Sequence, residues 1–224
     1  MSFYDIFSYV YFTLLLACVA SSVVVWRKTP TGIRLIGVFM LTTLCVETSA
    51  RWMLAVLHNN NIVYVIYDVL NFIISSYIII LFTISRKNRV IIFISACIMI
   101  ALYLADVYVL NRYVKDYSLI NCSISIYFCF ISCMYLLDMM ENPGEIILSR
   151  HPQFIYAMTS LFYYSISLLF WVVYLGFTGD DAAGLVRLTN KIFLISNLIF
   201  YACIFFVIIL SGKINSRKNE GKYA

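Results

Sequence analysis

The chain has 224 residues, 63% of them hydrophobic and only 12% charged, with a net charge of +5 and a mean hydropathy of +0.91. A soluble domain of that composition would have almost no polar surface to offer water. Its thin basic charge, with no accompanying module, argues against a nucleic-acid-binding protein. The composition specifies an all-α, polytopic membrane protein in which each spanning segment satisfies its own backbone hydrogen bonds.

In chain order, apolar runs predict spans at about 3–26, 35–57, 62–84, 90–111, 119–140, 153–177 and 188–211, each long enough to cross roughly 30 Å of hydrocarbon. Polar breaks separate them: Arg27-Lys28-Thr29-Pro30-Thr31-Gly32, His58-Asn59-Asn60-Asn61, Arg86-Lys87-Asn88-Arg89, Arg112 to Ser118, Asn142-Pro143-Gly144 to His151-Pro152, and Gly179-Asp180-Asp181. All three prolines fall in these breaks, where a missing N–H costs nothing. Of the eight glycines, only Gly37 and Gly176 lie inside spans, so nearly unbroken helices are expected.

Lys and Arg placement sets the orientation. With the N-terminus outside, the cytosolic side collects Arg27, Lys28, Arg34, Arg86, Lys87, Arg89, Arg150, Lys213, Arg217, Lys218 and Lys222, whereas the outer side collects only Arg112, Lys115 and Arg187. That bias predicts an N-out, C-in topology. The basic loops and a basic cytosolic tail at 212–224 should lie against anionic lipid headgroups.

The first apolar run is too long for a signal-peptide core and lacks a basic flank, so it is expected to remain as a span. The whole chain reads as one transmembrane domain, 1–224, with no soluble module. All seven cysteines fall within spans, none in a C-x-x-C pair, and only His58 and His151 could join them. They read as packing residues, with no metal site and no cofactor expected.

Five ionisable residues lie well inside the spans: Glu47 and Arg51 in the second, Asp68 in the third, Asp106 in the fourth and Lys191 in the seventh. At about 1.5 Å of rise per residue, they lie between roughly 5 and 16 Å below the outer boundary. Asn71, one turn inward of Asp68, extends the set to mid-membrane. Glu47 and Arg51, four positions apart, are placed to pair. Two readings follow: a buried ion-pair network that fixes helix packing, or an outward-facing pocket for a small ligand or ion. The aromatic run from Phe154 to Trp171, with Phe162, Tyr163, Tyr164 and Phe170, is expected to pack or to wall such a pocket. The inner half offers hydroxyls such as Ser75, Ser76 and Thr83, with Asn197, and is expected to hold no deep charge.

Lys191 invites comparison with retinal-binding rhodopsins, but it lies at the outer end of its span and has no aspartate one turn before it. A single Pro152-Gln153 argues against the PQ-loop carriers, which have one in each repeat. Three stretches resemble a diffuse family of uncharacterised bacterial seven-span membrane proteins. They are Ile66-Tyr67-Asp68-Val69-Leu70-Asn71-Phe72, then His151-Pro152-Gln153-Phe154 running on to Leu161-Phe162-Tyr163-Tyr164, and Asn190 with Asn197. The chain departs from that family at Asn71, where a glutamate is usual, and at Ile155, where a tryptophan is usual. The resemblance implies residence in the bacterial inner membrane and association with a two-component sensor kinase. It brings no biochemical activity.

The sequence therefore predicts a non-enzymatic membrane protein. No paired catalytic aspartate, zinc-binding histidine pair or Ser/His constellation has workable spacing. The favoured reading is a sensing or regulatory subunit for a membrane or cytosolic partner, with the outer polar cluster as input and the basic inner surface as output. The alternatives are a small-solute or ion transporter, and an accessory or pore component of a larger system such as a defence system.

Overall fold

The computed structural model describes residues 3–58, 60–108, 118–141, 151–176 and 183–220. The side chains of Asp106, Arg217 and Lys218, and the whole of Arg112, Lys115, Arg150 and Lys222, lie outside the described residues. The described chain is helical: α1 (Phe3–Val25), α2 (Thr31–Leu57), α3 (Asn61–Phe82), α4 (Arg86–Tyr108), α5 (Ser118–Glu141), α6 (Pro152–Gly176) and α7 (Ala183–Glu220). Six of them contain a stretch long and apolar enough to cross a membrane, and α3 contributes a shorter one, Ile66–Phe82. The helices match the predicted spans closely. The exception is α7, which continues through Lys213 to Glu220 where only a tail was expected.

The helix ends follow from local chemistry. Pro30 has the extended backbone of a residue just outside a helix, and its carbonyl accepts the N–H groups of Ile33 and Arg34 at 3.0 and 3.1 Å. Pro152 is the first residue of α6, where its fixed φ suits the helix and no N–H is needed. His58 closes α2 in the left-handed region (φ 53°), its N–H reaching the Leu54 carbonyl at 3.2 Å.

The helices form a ring in chain order, each packed on its neighbours, with α7 returning to α1. Contact between α3 and α5 leaves α4 on the outside of the ring, against those two alone among the principal packings. Close approach at one end of the bundle depends on glycine. A Cβ on Gly37 would come 2.8 Å from the Ser22 Cβ, and one on Gly212 would come 2.7 Å from Val25 Cγ1. These positions hold α1 tightly against α2 and α7.

That same end is closely packed. Leu15, Ile36, Met40, Ile78, Ile79, Ile131, Ile204 and Ile208 are essentially inaccessible. Phe82 packs edge-on against Tyr156 with centroids 5.7 Å apart. The outer surface of the bundle inverts the pattern of a soluble protein. Val23, Val24, Trp52, Phe93 and Met140 are exposed, while Ser76, Thr83, Ser132, Ser160 and Ser167 are buried. Several hydroxyls inside the bundle bond locally or between helices, as Ser22 does to the Cys18 carbonyl (2.8 Å) and Tyr127 to Ser76 Oγ (3.1 Å), whereas Ser132 and Ser160 have no hydrogen-bond partner among the described residues. Apolar surface outside and hydroxyls within are what a hydrocarbon solvent selects. The chain is a multi-pass membrane bundle.

Asp138, near the end of α5, is a buried charge that the sequence reading did not single out. It is 1% exposed on α5, and its carboxylate accepts the backbone N–H groups of Ile84 (2.6 Å) and Ser85 (3.0 Å) and the Asn88 side-chain amide (3.3 Å). It thus satisfies the donors left open where α3 ends and α4 begins, on the side of the α4 dipole that favours an anion. Two of the basic residues also tie loops down rather than simply facing outward. Arg34 Nε donates to the Thr29 carbonyl (2.9 Å), and Arg89 donates to the carbonyls of Thr83 (2.7 Å) and Ile84 (3.3 Å). Arg27, Lys28, Arg86, Lys87 and Lys213 are exposed.

Candidate functional site: a polar aromatic cavity

Within the ring, at the end opposite the closely packed core, lies a cavity of about 400 Å³ that receives residues from every helix except α4. Four of its walls are built from regular helical repeats. Asn121, Ser125 and Phe128 come from α5, Tyr163, Ser167 and Trp171 from α6, Phe193, Asn197 and Tyr201 from α7, and Tyr64, Tyr67, Asp68 and Asn71 from α3. Spacings of three and four place each set along one helix face.

The carboxylate of Glu47 is held by two phenols. Tyr11 donates to Oε1 at 3.1 Å and Tyr64 to Oε2 at 3.5 Å. One turn deeper on α2, Thr43 Oγ1 and the Tyr67 hydroxyl share a hydrogen bond of 3.0 Å. The Tyr11 and Tyr201 rings meet edge-on at 5.4 Å. On the far side, Ser125 donates to Ser167 at 3.1 Å, and Phe128 stacks on Tyr164 at 4.3 Å. Asn71 accepts from Ser75 at 3.0 Å, leaving its amide NH₂ without a partner among the described residues. Among the described residues, the Asn197 Oδ1 is buried without a hydrogen-bond partner, and Asp68 has no hydrogen bond or ion pair. Asp68, Phe72 and Ile124 also bound a small apolar recess of about 30 Å³ that opens between α3, α4 and α5.

The structure divides the six residues singled out from sequence. Glu47, Asp68 and Asn71 converge on the cavity. Arg51 does not. It is exposed, donates to Ser8 Oγ, and lies 3.9 Å above the Phe12 ring of α1, so the expected Glu47–Arg51 pair gives way to separate partners on neighbouring helices. The i, i+4 spacing made a pair available, but Tyr11 and Tyr64 reach the carboxylate from α1 and α3 and satisfy it there. Lys191 is exposed on α7 and does not line the cavity. The side chain of Asp106 lies outside the described residues.

Within the aromatic run of α6, Tyr163, Tyr164 and Trp171 line the cavity. Phe162 faces outward, and Phe170 stacks on Phe193 at 4.9 Å just behind the wall. Sequence reasoning missed Tyr11 and the Asn121, Ser125 and Ser167 wall. The polar residues recurring every fourth position on α5 and α6 were the available signal. Among the described residues, no group of three His, Cys, Asp or Glu could hold a metal ion.

No protein-family model, curated protein or solved structure significantly matches this chain.

Proposed function

We propose that this is a non-enzymatic, seven-span protein of the bacterial inner membrane, N-terminus outside, that serves as a sensing or regulatory subunit. The carrying observation is the asymmetry of the bundle. A polar cavity of about 400 Å³ occupies one half, and close apolar packing around Ile36, Ile79 and Ile208 fills the other. The basic count of the loops supports an outward-facing cavity half. A ligand then has access from one side only, which suits a receptor better than a carrier whose polar groups run through its full depth. Occupancy of the cavity would change the packing of α1, α2 and α7. These helices lead to Arg27, Lys28 and Arg34 and to the long end of α7, which form the surface offered to a partner. The resemblance to bacterial proteins encoded beside sensor kinases supports such a kinase as that partner.

The test is a set of single cysteines in a cysteine-free background, treated with an aqueous thiol reagent from outside. Asn71→Cys and Asn197→Cys should react, while Ile79→Cys and Ile208→Cys should not. Reaction at the two isoleucine positions would reveal a water path through the bundle and replace the sensor by a transporter or channel.

A further inference from the structure

We infer that the cavity binds a small organic cation, a primary or quaternary ammonium carried on an apolar body. This inference deepens the reading of the cavity as a ligand site and rests on it. Charge sets the sign of the ligand. Two carboxylates, Glu47 and Asp68, face the cavity, and none of its described lining residues is Lys, Arg or His. The nearest arginine along α2, Arg51, attracts Glu47 through space but makes no direct ion pair with it, its own contacts being Ser8 and Phe12 of α1. The groups that hold Glu47 are neutral phenols, which fix the carboxylate without cancelling its charge. A carboxylate in such a site either takes up a proton or draws a cation against it, and an anion would be repelled.

The walls decide which kind of cation. Twelve of the twenty described lining residues are aromatic, so a cation that has shed its water meets ring faces as well as carboxylates. Aromatic cages of this composition recognise alkylammonium groups through the negative faces of the rings. A bare metal ion would instead require a tight shell of oxygen ligands at fixed short distances. The cavity falls in the size range of small-molecule sites and far exceeds a bare ion. The amides of Asn71 and Asn197 offer further hydrogen bonds, so a ligand with one polar substituent beyond its ammonium would be oriented.

The experiment uses the full chain in lipid nanodiscs with Trp26→Phe and Trp52→Phe, leaving Trp171 in the cavity wall as the only tryptophan. The probes are tetraethylammonium and phenethylamine, with phenylethanol as a neutral counterpart and phenylpropionate as an anionic one. Both cations at millimolar concentration should shift Trp171 emission saturably and raise the unfolding temperature. The neutral and anionic probes should bind at least ~10-fold more weakly. Asp68→Asn and Glu47→Gln should each weaken the cations by ~10-fold or more while leaving phenylethanol unchanged, with monodispersity and helical content as controls for folding. Equal binding of phenylethanol and phenethylamine would overturn the inference, as would cation binding that survives the Asp68→Asn, Glu47→Gln double substitution. Absence of any cation response, with Asn71→Cys and Asn197→Cys still reactive from outside, would overturn the cationic ligand and leave the one-sided cavity standing. Loss of that reactivity would remove the cavity reading itself.

Discussion

Asp138 and Arg51 place opposite demands on their surroundings, although both are charges within apolar helices. Asp138 is enclosed, and its carboxylate is the acceptor for two backbone N–H groups that no helix satisfies. Asp138→Ala should therefore cost about 2–3 kcal/mol, because it removes charge-assisted hydrogen bonds and strands their donors. Arg51 is exposed and contributes a cation–ring contact with Phe12, so Arg51→Ala should cost under about 1 kcal/mol. Thermal or chemical unfolding in detergent distinguishes the two. A larger loss for Arg51→Ala than for Asp138→Ala would restore the buried Glu47–Arg51 pair that the sequence suggested. The reason this pair misled is physical. Helical spacing says which residues on one helix can meet, but not which neighbouring helix arrives first. Asp138 escaped notice for a related reason: near the end of its own span it resembles an interfacial residue, and only packing against the α3–α4 junction buries it.

At the scale of the helix, periodicity and punctuation carried most of the information. Pro30, Pro152 and His58 lie at helix ends where their backbone preferences are useful, so the helix bounds, those of α7 apart, could be placed from sequence within a few residues. The cavity was only half legible. The α3 face of Asp68 and Asn71 announced itself through charge, whereas the α5 wall of Asn121 and Ser125 consists of small polar groups that also serve as ordinary packing residues in membrane helices. Glycine spacing gives the sharpest test at this scale. In Gly37→Ala, gain in helix propensity of up to about 1 kcal/mol opposes overpacking of about 1–3 kcal/mol against Ser22 Cβ, an atom tied closely to its backbone. A net loss of about 1 kcal/mol is expected, and Gly37→Leu should lose more. Gly176 has nothing within 4 Å of where a Cβ would stand, so Gly176→Ala should be neutral or slightly stabilising. Equal responses at the two sites, read as unfolding temperature in detergent, would argue against close α1–α2 contact.

For the whole molecule, orientation in the bilayer decides what the cavity can sense, and two linked features bear on it. The first is the basic count of the loops. The second is the bundle itself, which brings Val25 against Gly212 and Gly32 against Phe82. The break after α1, the break after α3 and the long end of α7 therefore gather at one end, where most of the Lys and Arg lie. A charge bias spread over unrelated loops could arise by chance, but one that coincides with a single end of a packed ring acts as one determinant of insertion. Topology is measured by cysteines introduced at Asn60, between α2 and α3, and at Ser216, near the end of α7. In intact cells an impermeant thiol reagent should modify Asn60→Cys and leave Ser216→Cys untouched until lysis. The reverse pattern would turn the cavity toward the cytosol, making any ligand an internal metabolite and the basic end an outward surface. Labelling of both positions from outside would give an even number of spans. The short apolar stretch of α3, Ile66–Phe82, would then be the first helix to reconsider, because Asp68 near its start is the group most costly to hold in lipid without a partner.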